Sequence, residues 1–232
     1  QALAESLHDW AFIFDTKPSK DPQVAIRKIV GAVKRDSKHS AAPVLPIVHV
    51  KQDDEGLAQL PEIVRSVSEQ LGPPAIAIAE RELGAGIATR AKTMKLIRTE
   101  LNKLPYYQPI HLLGTGNPWS IAVLVAAGAD TFDGLEWCRF AIDPIHGRLH
   151  HFQHFDFFKN KGERTPFLNM VDDDDEIKYA GKVAFYNLEY YAEFGRLMRE
   201  MISTKDTELF ATGTMRGVGF QELRKLFPEI FP

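Results

Sequence analysis

Short apolar runs alternate with longer amphipathic stretches over the first 133 residues. Trp10-Ala11-Phe12-Ile13-Phe14 predicts a buried strand, ended by Asp15 and the turn-forming Thr16-Lys17-Pro18. A helix is predicted over 22–34, with Asp21 as N-cap and Pro22 at the first helical position. Residues 44–50 read as a second strand, followed by a helix over 56–71 that stops at Gly72-Pro73-Pro74. A third strand over 75–79, a helix over 89–104 and a fourth strand over 109–113 come next. Pro118–Ala127 reads as a helix closed by Gly128, and 129–132 as a fifth strand ending at Asp133-Gly134. Near-continuous apolarity in the strands marks βαβ units with a parallel sheet; an open doubly wound sheet and part of a (β/α)₈ barrel both fit. Both carry their chemistry just past strand C-termini, where Asp15, His49, Glu80, Gly114 and Asp133 collect. Beyond residue 140 the pattern changes. Residues 148–155 alternate like a hairpin strand, Asp172 to Asp175 precede and cap a long helix over 176–203, and a short amphipathic helix near 220–227 closes the chain.

The chain has 232 residues, enough for one large α/β domain or two small ones. Hydrophobic residues make up 44% and charged residues 25%, which excludes wholesale disorder. No run approaches the ~18 apolar residues of a membrane span. The single cysteine, Cys138, excludes a disulfide framework and any site built on three or four cysteines, and fits a reducing, cytoplasmic setting. At a net charge of −3 the chain is no polycation, so binding to nucleic acid requires a local basic patch. Lys159, Lys161, Arg164, Arg148 and Arg139 supply one candidate patch; a solvated loop is the alternative. There is no signal-peptide pattern, and the opening on Gln1 fits a processed or truncated start.

Three places carry chemistry. Leu113-Gly114-Thr115-Gly116 joins a strand to a helix through two glycines, which lets backbone N–H groups approach a ligand, although a tight turn needs glycine in any case. Asp133 ends the fifth strand, where a carboxylate serves as nucleophile or base, or simply caps the next turn of chain. Asp15 has the same position and ambiguity on the first strand. His146, His150, His151 and His154 are dense, but only His150 and His154 share a strand face, and no carboxylate stands at ligand spacing. Tyr190, Tyr191, Phe194 and Leu197 follow helical spacing and read as packing residues.

His111-Leu112-Leu113-Gly114-Thr115-Gly116-Asn117-Pro118, followed by Gly128-Ala129-Asp130-Thr131-Phe132-Asp133, resembles the late-barrel signature of tRNA-guanine transglycosylases, a Gly-x-Gly-x-Pro turn and then Gly-x-Asp-x-Phe-Asp. Phe14-Asp15 before Pro18 is similar to that family's base-reading Phe-Asp segment. Pro46-Ile47-Val48-His49 is similar to its Gly-Ile-Val-Gln strand, and Asn187-Leu188 with Arg196 to Glu200 to its closing helix. The similarity runs in order along nearly the whole chain.

The resemblance implies a (β/α)₈ TIM-type barrel of which the last five units are present, over 1–140, with a hairpin and helical extension over 141–232. It implies exchange of guanine in DNA or tRNA for a free 7-deazaguanine base. Asp133 would attack C1′ and hold a covalent intermediate. Asp15 would accept hydrogen bonds from the base's donor edge, and His49 would meet its carbonyl edge. Gly114 and Gly116 would bring backbone close, Leu113 would pack on the base, and Arg139 would contact the polynucleotide. No redox cofactor and no metal is implied. The family's zinc motif needs three cysteines and a histidine; here there is one cysteine, and Tyr186 stands where the histidine belongs. This departure points toward the zinc-less relatives that modify DNA. Ala79-Glu80-Arg81 replaces the family's glycine pair, so Glu80 and Arg81 either reshape base selectivity or pair at the surface. The leading strands, which in that family carry a second catalytic aspartate and an aromatic that stacks on the base, are missing and would come from an upstream segment or a second subunit. Two other functions fit the residues: a non-catalytic nucleic-acid-binding barrel partner, and a glycosidase-like barrel hydrolase.

Overall fold

Parallel pairing links the apolar runs in chain order. The structure, a computed structural model, describes residues 8–14, 16–206, 210, 213–215 and 218–229. It is a mixed α/β protein with small parallel sheets. The chain divides into two compact units, residues 1–115 with 127–133, and residues 116–126 with 134–232.

In the first unit, β1 (Ala11–Phe12) pairs with β2 (Val44–Leu45). A second sheet takes β3 (Ile47–Val48), β4 (Ile76–Ala79), β5 (Ile110–Leu113) and β6 (Thr131–Phe132) side by side, so sheet order follows chain order. The strand predicted over 44–50 is split by Pro46, which has no N–H to give the ladder, although its carbonyl accepts from Ala77 N–H at 2.9 Å. Helix α1 (Pro22–Asp36) starts where Asp21 accepts from the Gln23 and Val24 N–H groups. Helix α2 (Asp54–Leu71) starts two residues earlier than predicted, because Asp53 accepts from Gly56 N–H, and it ends on Gly72 at φ 51°. Helix α3 (Gly86–Leu101) follows β4 through a 3₁₀ turn, Glu80–Leu83. Ile26 and Ile29 of α1, Leu60, Ile63 and Val67 of α2, and Met94 and Ile97 of α3 are buried together with Ile76, Ile78, Ile110 and Leu112 of the sheet. Each such side chain contributes roughly 1.5–3 kcal/mol on burial. The strand expected to be buried over Trp10 to Phe14 is not: only Ile13 is fully covered, and Phe14 is 78% exposed. Among the described residues, β1 pairs with β2 on one side only.

The second unit holds α4 (Pro118–Ala127, all but its last residue), a short helix α5 (Glu136–Arg139) and an antiparallel hairpin of β7 (Phe140–Asp143) and β8 (Arg148–His151). Helices α6 (Pro166–Asp173), α7 (Tyr179–Thr204) and α8 (Val218–Leu226) complete its described elements. Ala141, Phe155 and Val183 form a small core under Phe152, Phe158 and Tyr186. Asn187, 2% exposed, crosslinks α7 to the hairpin: its Nδ2 donates to Trp137 O at 2.8 Å and Phe140 O at 2.6 Å, and its Oδ1 accepts from Ile142 N–H at 3.2 Å.

Two expectations for this unit are corrected. The hairpin strand stops at His151, and residues 152–157 form a 3₁₀ turn, so His150 and His154 do not share a strand face. The acidic run does not cap the long helix: Asp172 and Asp173 end α6, which Thr165 and Pro166 begin, while Lys178 stands before α7. The basic patch is partly neutralised, since Arg164 bonds Asp172 and Lys159 pairs with Asp156 at 3.2 Å. Among the described residues no helix is long and apolar enough to cross a membrane.

Candidate functional site

Alternation along β5 buries Ile110 and Leu112 against one face and leaves His111 and Leu113 half-buried on the other. His111 lies opposite Thr131 on β6, so Asp133, two residues on, continues the same face. The turn after β5 closes around Asp133. Asp133 N–H donates to Leu112 O at 3.2 Å, and Thr115 N–H donates to Asp133 O at 2.6 Å. Gly114 N–H donates to the carboxylate Oδ1 at 2.7 Å. Gly114 takes φ 75°, a left-handed conformation that aims its N–H at the carboxylate, and nothing lies within 4 Å of where a Cβ would sit. The glycine is therefore required by conformation rather than crowding. Asp133 is held from below by backbone yet remains open, with 56% of its side chain exposed.

His111 completes this face. Its Nδ1 lies 2.9 Å from Thr131 Oγ1, its ring stacks on Phe12 with centroids 5.5 Å apart, and its Nε2 lies 4.0 Å from Asp133 Oδ2. Burial pushes the His111 pKa below the ordinary value, and the Asp133 carboxylate opposes that shift without overcoming it. His111 Nε2 and Thr115 Oγ1 are buried without a hydrogen-bond partner. Leaving such an atom unsatisfied costs about 1–3 kcal/mol, which a ligand in contact with it would offset.

The remaining expected residues fall into separate settings. Asp15 lies outside the described residues. His49, 7% exposed, sets its Nδ1 at 3.2 Å from Glu82 Oε1, and Glu82 also accepts from Val50 N–H at 3.3 Å. Glu80 does not pair with Arg81; it bonds Arg90, which also donates to Gly84 O at 3.0 Å, so it braces the loop before α3. The carboxylate that meets His49 is thus Glu82, carried there by the 3₁₀ turn. Leu113 is half-buried beside the Gly114 turn, and Arg139 is exposed at the end of α5.

In the second unit, Gly116 and Gly134 pack backbone on backbone. A Cβ on Gly134 would lie 2.8 Å from Gly116 Cα, and one on Gly116 would lie 1.9 Å from Glu136 Oε2. Glu136 Oε2 is buried without a partner, while Tyr191 OH donates to Gly116 O. Burial first, then the Glu136 charge and Tyr190, push the Tyr191 hydroxyl far above its ordinary pKa. Sequence reasoning missed His111, Glu82 and Glu136. For His111 the signal was present: a polar ring within an otherwise apolar strand, two places before the glycine turn.

Searches with the sequence find no matching protein-family model and no matching curated protein.

Proposed function

We propose that the protein is a base-exchanging transglycosylase acting on nucleic acid through Asp133. The observation that carries this reading is the Asp133 carboxylate itself: half-exposed past a strand C-terminus, with one oxygen fixed by Gly114 N–H at 2.7 Å. A carboxylate held this way presents a second oxygen in fixed orientation, which is what covalent capture of an anomeric carbon requires. The motif around it, from the Gly114 turn to Phe132-Asp133, is the one that resembles the transglycosylases.

The barrel reading has support of its own. Among the described residues the pairings of β1 with β2, and of β3 through β6, are all parallel and follow chain order, as they do in a wound barrel. Phe12 and His111 stand on strands three places apart, about 14 Å at ordinary strand spacing if the sheet were flat. Their rings nonetheless meet at 5.5 Å. A sheet that curls toward the Asp133 face accounts for this. We infer that the five strand positions are a barrel segment, that the exchanged base enters as a free 7-deazaguanine, and that the exposed free thiol of Cys138 fits a cytoplasmic setting.

The test is base exchange. Labelled guanine or 7-deazaguanine is offered with duplex DNA and, separately, with total tRNA. Label entering one polymer, and lost in Asp133→Ala, supports the proposal and identifies the polymer. Label entering neither, despite tight binding, favours a non-catalytic binding partner.

A further inference from the structure

The second unit holds a cavity that base exchange at Asp133 does not use. The loop after β7, the 3₁₀ turn at 152–157, the start of α6 and one face of α7 surround a space of about 680 Å³. Its walls are mostly apolar and aromatic, with Ile142, Phe155, Leu168, Tyr190 and Phe194 among them. Protein interiors pack to crystal-like density and leave few voids larger than a water molecule. A cavity of this volume, with apolar walls and a few polar groups, has the form of a small-molecule site.

The polar groups decide which ligand fits. Most of those that line the cavity are already engaged. Asn187 makes its three bonds to Trp137 O, Phe140 O and Ile142 N–H. Thr165 Oγ1 accepts from Leu168 N–H at 3.2 Å, and Thr214 Oγ1 donates to Phe210 O at 2.9 Å. Tyr186 OH donates to Asp172 Oδ2 at 2.7 Å. Lys159 pairs with Asp156 at 3.2 Å, and Glu193 with Arg196 at 2.7 Å. The carboxylates of Glu163 and Glu189 and the hydroxyl of Tyr190 are left, with no hydrogen-bond or ion-pair partner among the described residues.

These three groups share one complement. An ionised carboxylate only accepts hydrogen bonds. Burial first, then the Asp143 charge, push the Tyr190 hydroxyl far above its ordinary pKa, so it stays neutral and adds no charge. Glu189 and Glu193 lie four residues apart on α7, a spacing at which like charges repel. Lys159 is the one cation among the described lining residues, and Asp156 already pairs with it, so an anionic ligand would meet uncompensated negative charge. Glu163 is exposed and Glu189 half-buried, whereas Phe155, Leu168 and Phe194 are buried. The charge therefore lies toward solvent and the apolar walls lie deeper.

We propose that this cavity binds a small organic cation, whose apolar body packs on Phe155, Leu168 and Phe194 and whose ammonium head is attracted by the unpaired carboxylates of Glu163 and Glu189. The site lies wholly within the second unit, and Asp133 belongs to the first, so either proposal can fail without the other.

Three probes with one body and different heads test this on the full chain: phenylbutylammonium, phenylbutanol and phenylbutanoate. Each is titrated while methyl and amide NMR shifts are followed. The ammonium is expected to bind with shifts centred on Leu168, Phe194 and Leu197, the alcohol about tenfold more weakly, and the carboxylate more weakly still. This ranking needs no variant. Replacing both carboxylates, Glu163→Gln with Glu189→Gln, is expected to bring the ammonium down to the affinity of the alcohol while the alcohol keeps its own. Retained binding of the alcohol reports that the cavity is intact in that variant. Equal binding of ammonium and alcohol by the unaltered protein overturns the proposal, because the carboxylates then select nothing. Preference for the carboxylate probe, shifts centred elsewhere, or no binding by any probe overturns it as well.

Discussion

Arg98 offers a stability test whose size can be worked from the structure. The residue is 8% exposed on α3, and its guanidinium reaches the starts of two strands. Nε and Nη2 donate to Gly128 O at 2.9 and 2.7 Å, Nη1 donates to Gln108 O at 3.0 Å, and Nη2 donates to Asp130 Oδ2 at 2.6 Å. Asp130 Oδ2 also accepts from Ile110 N–H at 2.8 Å, and Tyr107 OH bonds the other carboxylate oxygen. Arg98→Met keeps the apolar stem and removes every one of the Arg98 hydrogen bonds. Every one of these bonds has a charged donor, and bonds of that kind contribute about 1.5–3 kcal/mol each without adding fully, while breaking one side of a buried ion pair costs about 3–5 kcal/mol. Asp130 retains some exposure, at 22% of its side chain, which places the expectation at the lower end, near 3–4 kcal/mol. With a urea slope of about 2 kcal/mol per molar, the unfolding midpoint of the first unit should fall by about 1.5–2 M. Circular dichroism in urea measures it. A fall below about 0.5 M would refute the idea that this network pins the entry to β5 and β6. A cycle with Asp130→Asn should show coupling of about 0.5–3 kcal/mol; additive losses would mean that the two residues act separately.

Other expectations are equally specific. Asn187→Leu strands the Trp137 and Phe140 carbonyls and the Ile142 N–H, and should cost about 2–4 kcal/mol in the second unit, read as a lower melting temperature. Gly134→Ala puts a methyl group 2.8 Å from the Gly116 backbone, which no rotamer change relieves, and should cost about 1–3 kcal/mol; an unchanged melt would mean that the two turns can move apart freely. Burial pushes the Asp143 carboxyl up, but His146 Nδ1 at 2.7 Å and the Ile145 N–H at 3.1 Å overcome it, so its pKa lies below the ordinary 3.8. The contribution of this carboxylate is therefore complete above pH 3.8 and lost as pH falls through the lowered value. Melting temperatures taken from about pH 6 to pH 2 should show that loss, and Asp143→Asn should reduce it.

Much of the first unit was legible because its strands are short apolar runs bounded by Pro, Gly and Asp, and because Asp21 caps its helix by a local rule; the same rule at Asp53 went unread, which cost two residues at the start of α2. Boundaries slipped where the cause was not local. Whether Trp10 and Phe14 are covered depends on what flanks β1, which apolarity does not report. Glu80 and Glu82 differ only in how far a 3₁₀ turn rotates past the strand end, and that rotation decides which of them meets His49. Helix α6 was missed although Thr165-Pro166 is an ordinary start signal, because the acidic run after it drew the boundary instead. Asp133 and the Gly114 turn were legible as strand-end chemistry. The hydrogen bond between them was not, since it joins residues 19 apart across two strands. His111 carried a signal in its own polarity, but its pairing with Asp133 needed the register of β5 against β6.

The most direct test of catalysis through Asp133 is isolation of the covalent intermediate. The protein is incubated with guanine-containing DNA or tRNA, denatured, digested and weighed by mass spectrometry. A nucleotide adduct is expected on the peptide that contains Asp133, absent from Asp133→Asn and discharged by added 7-deazaguanine. An adduct on another residue, or undiminished base exchange by Asp133→Asn, would contradict that role.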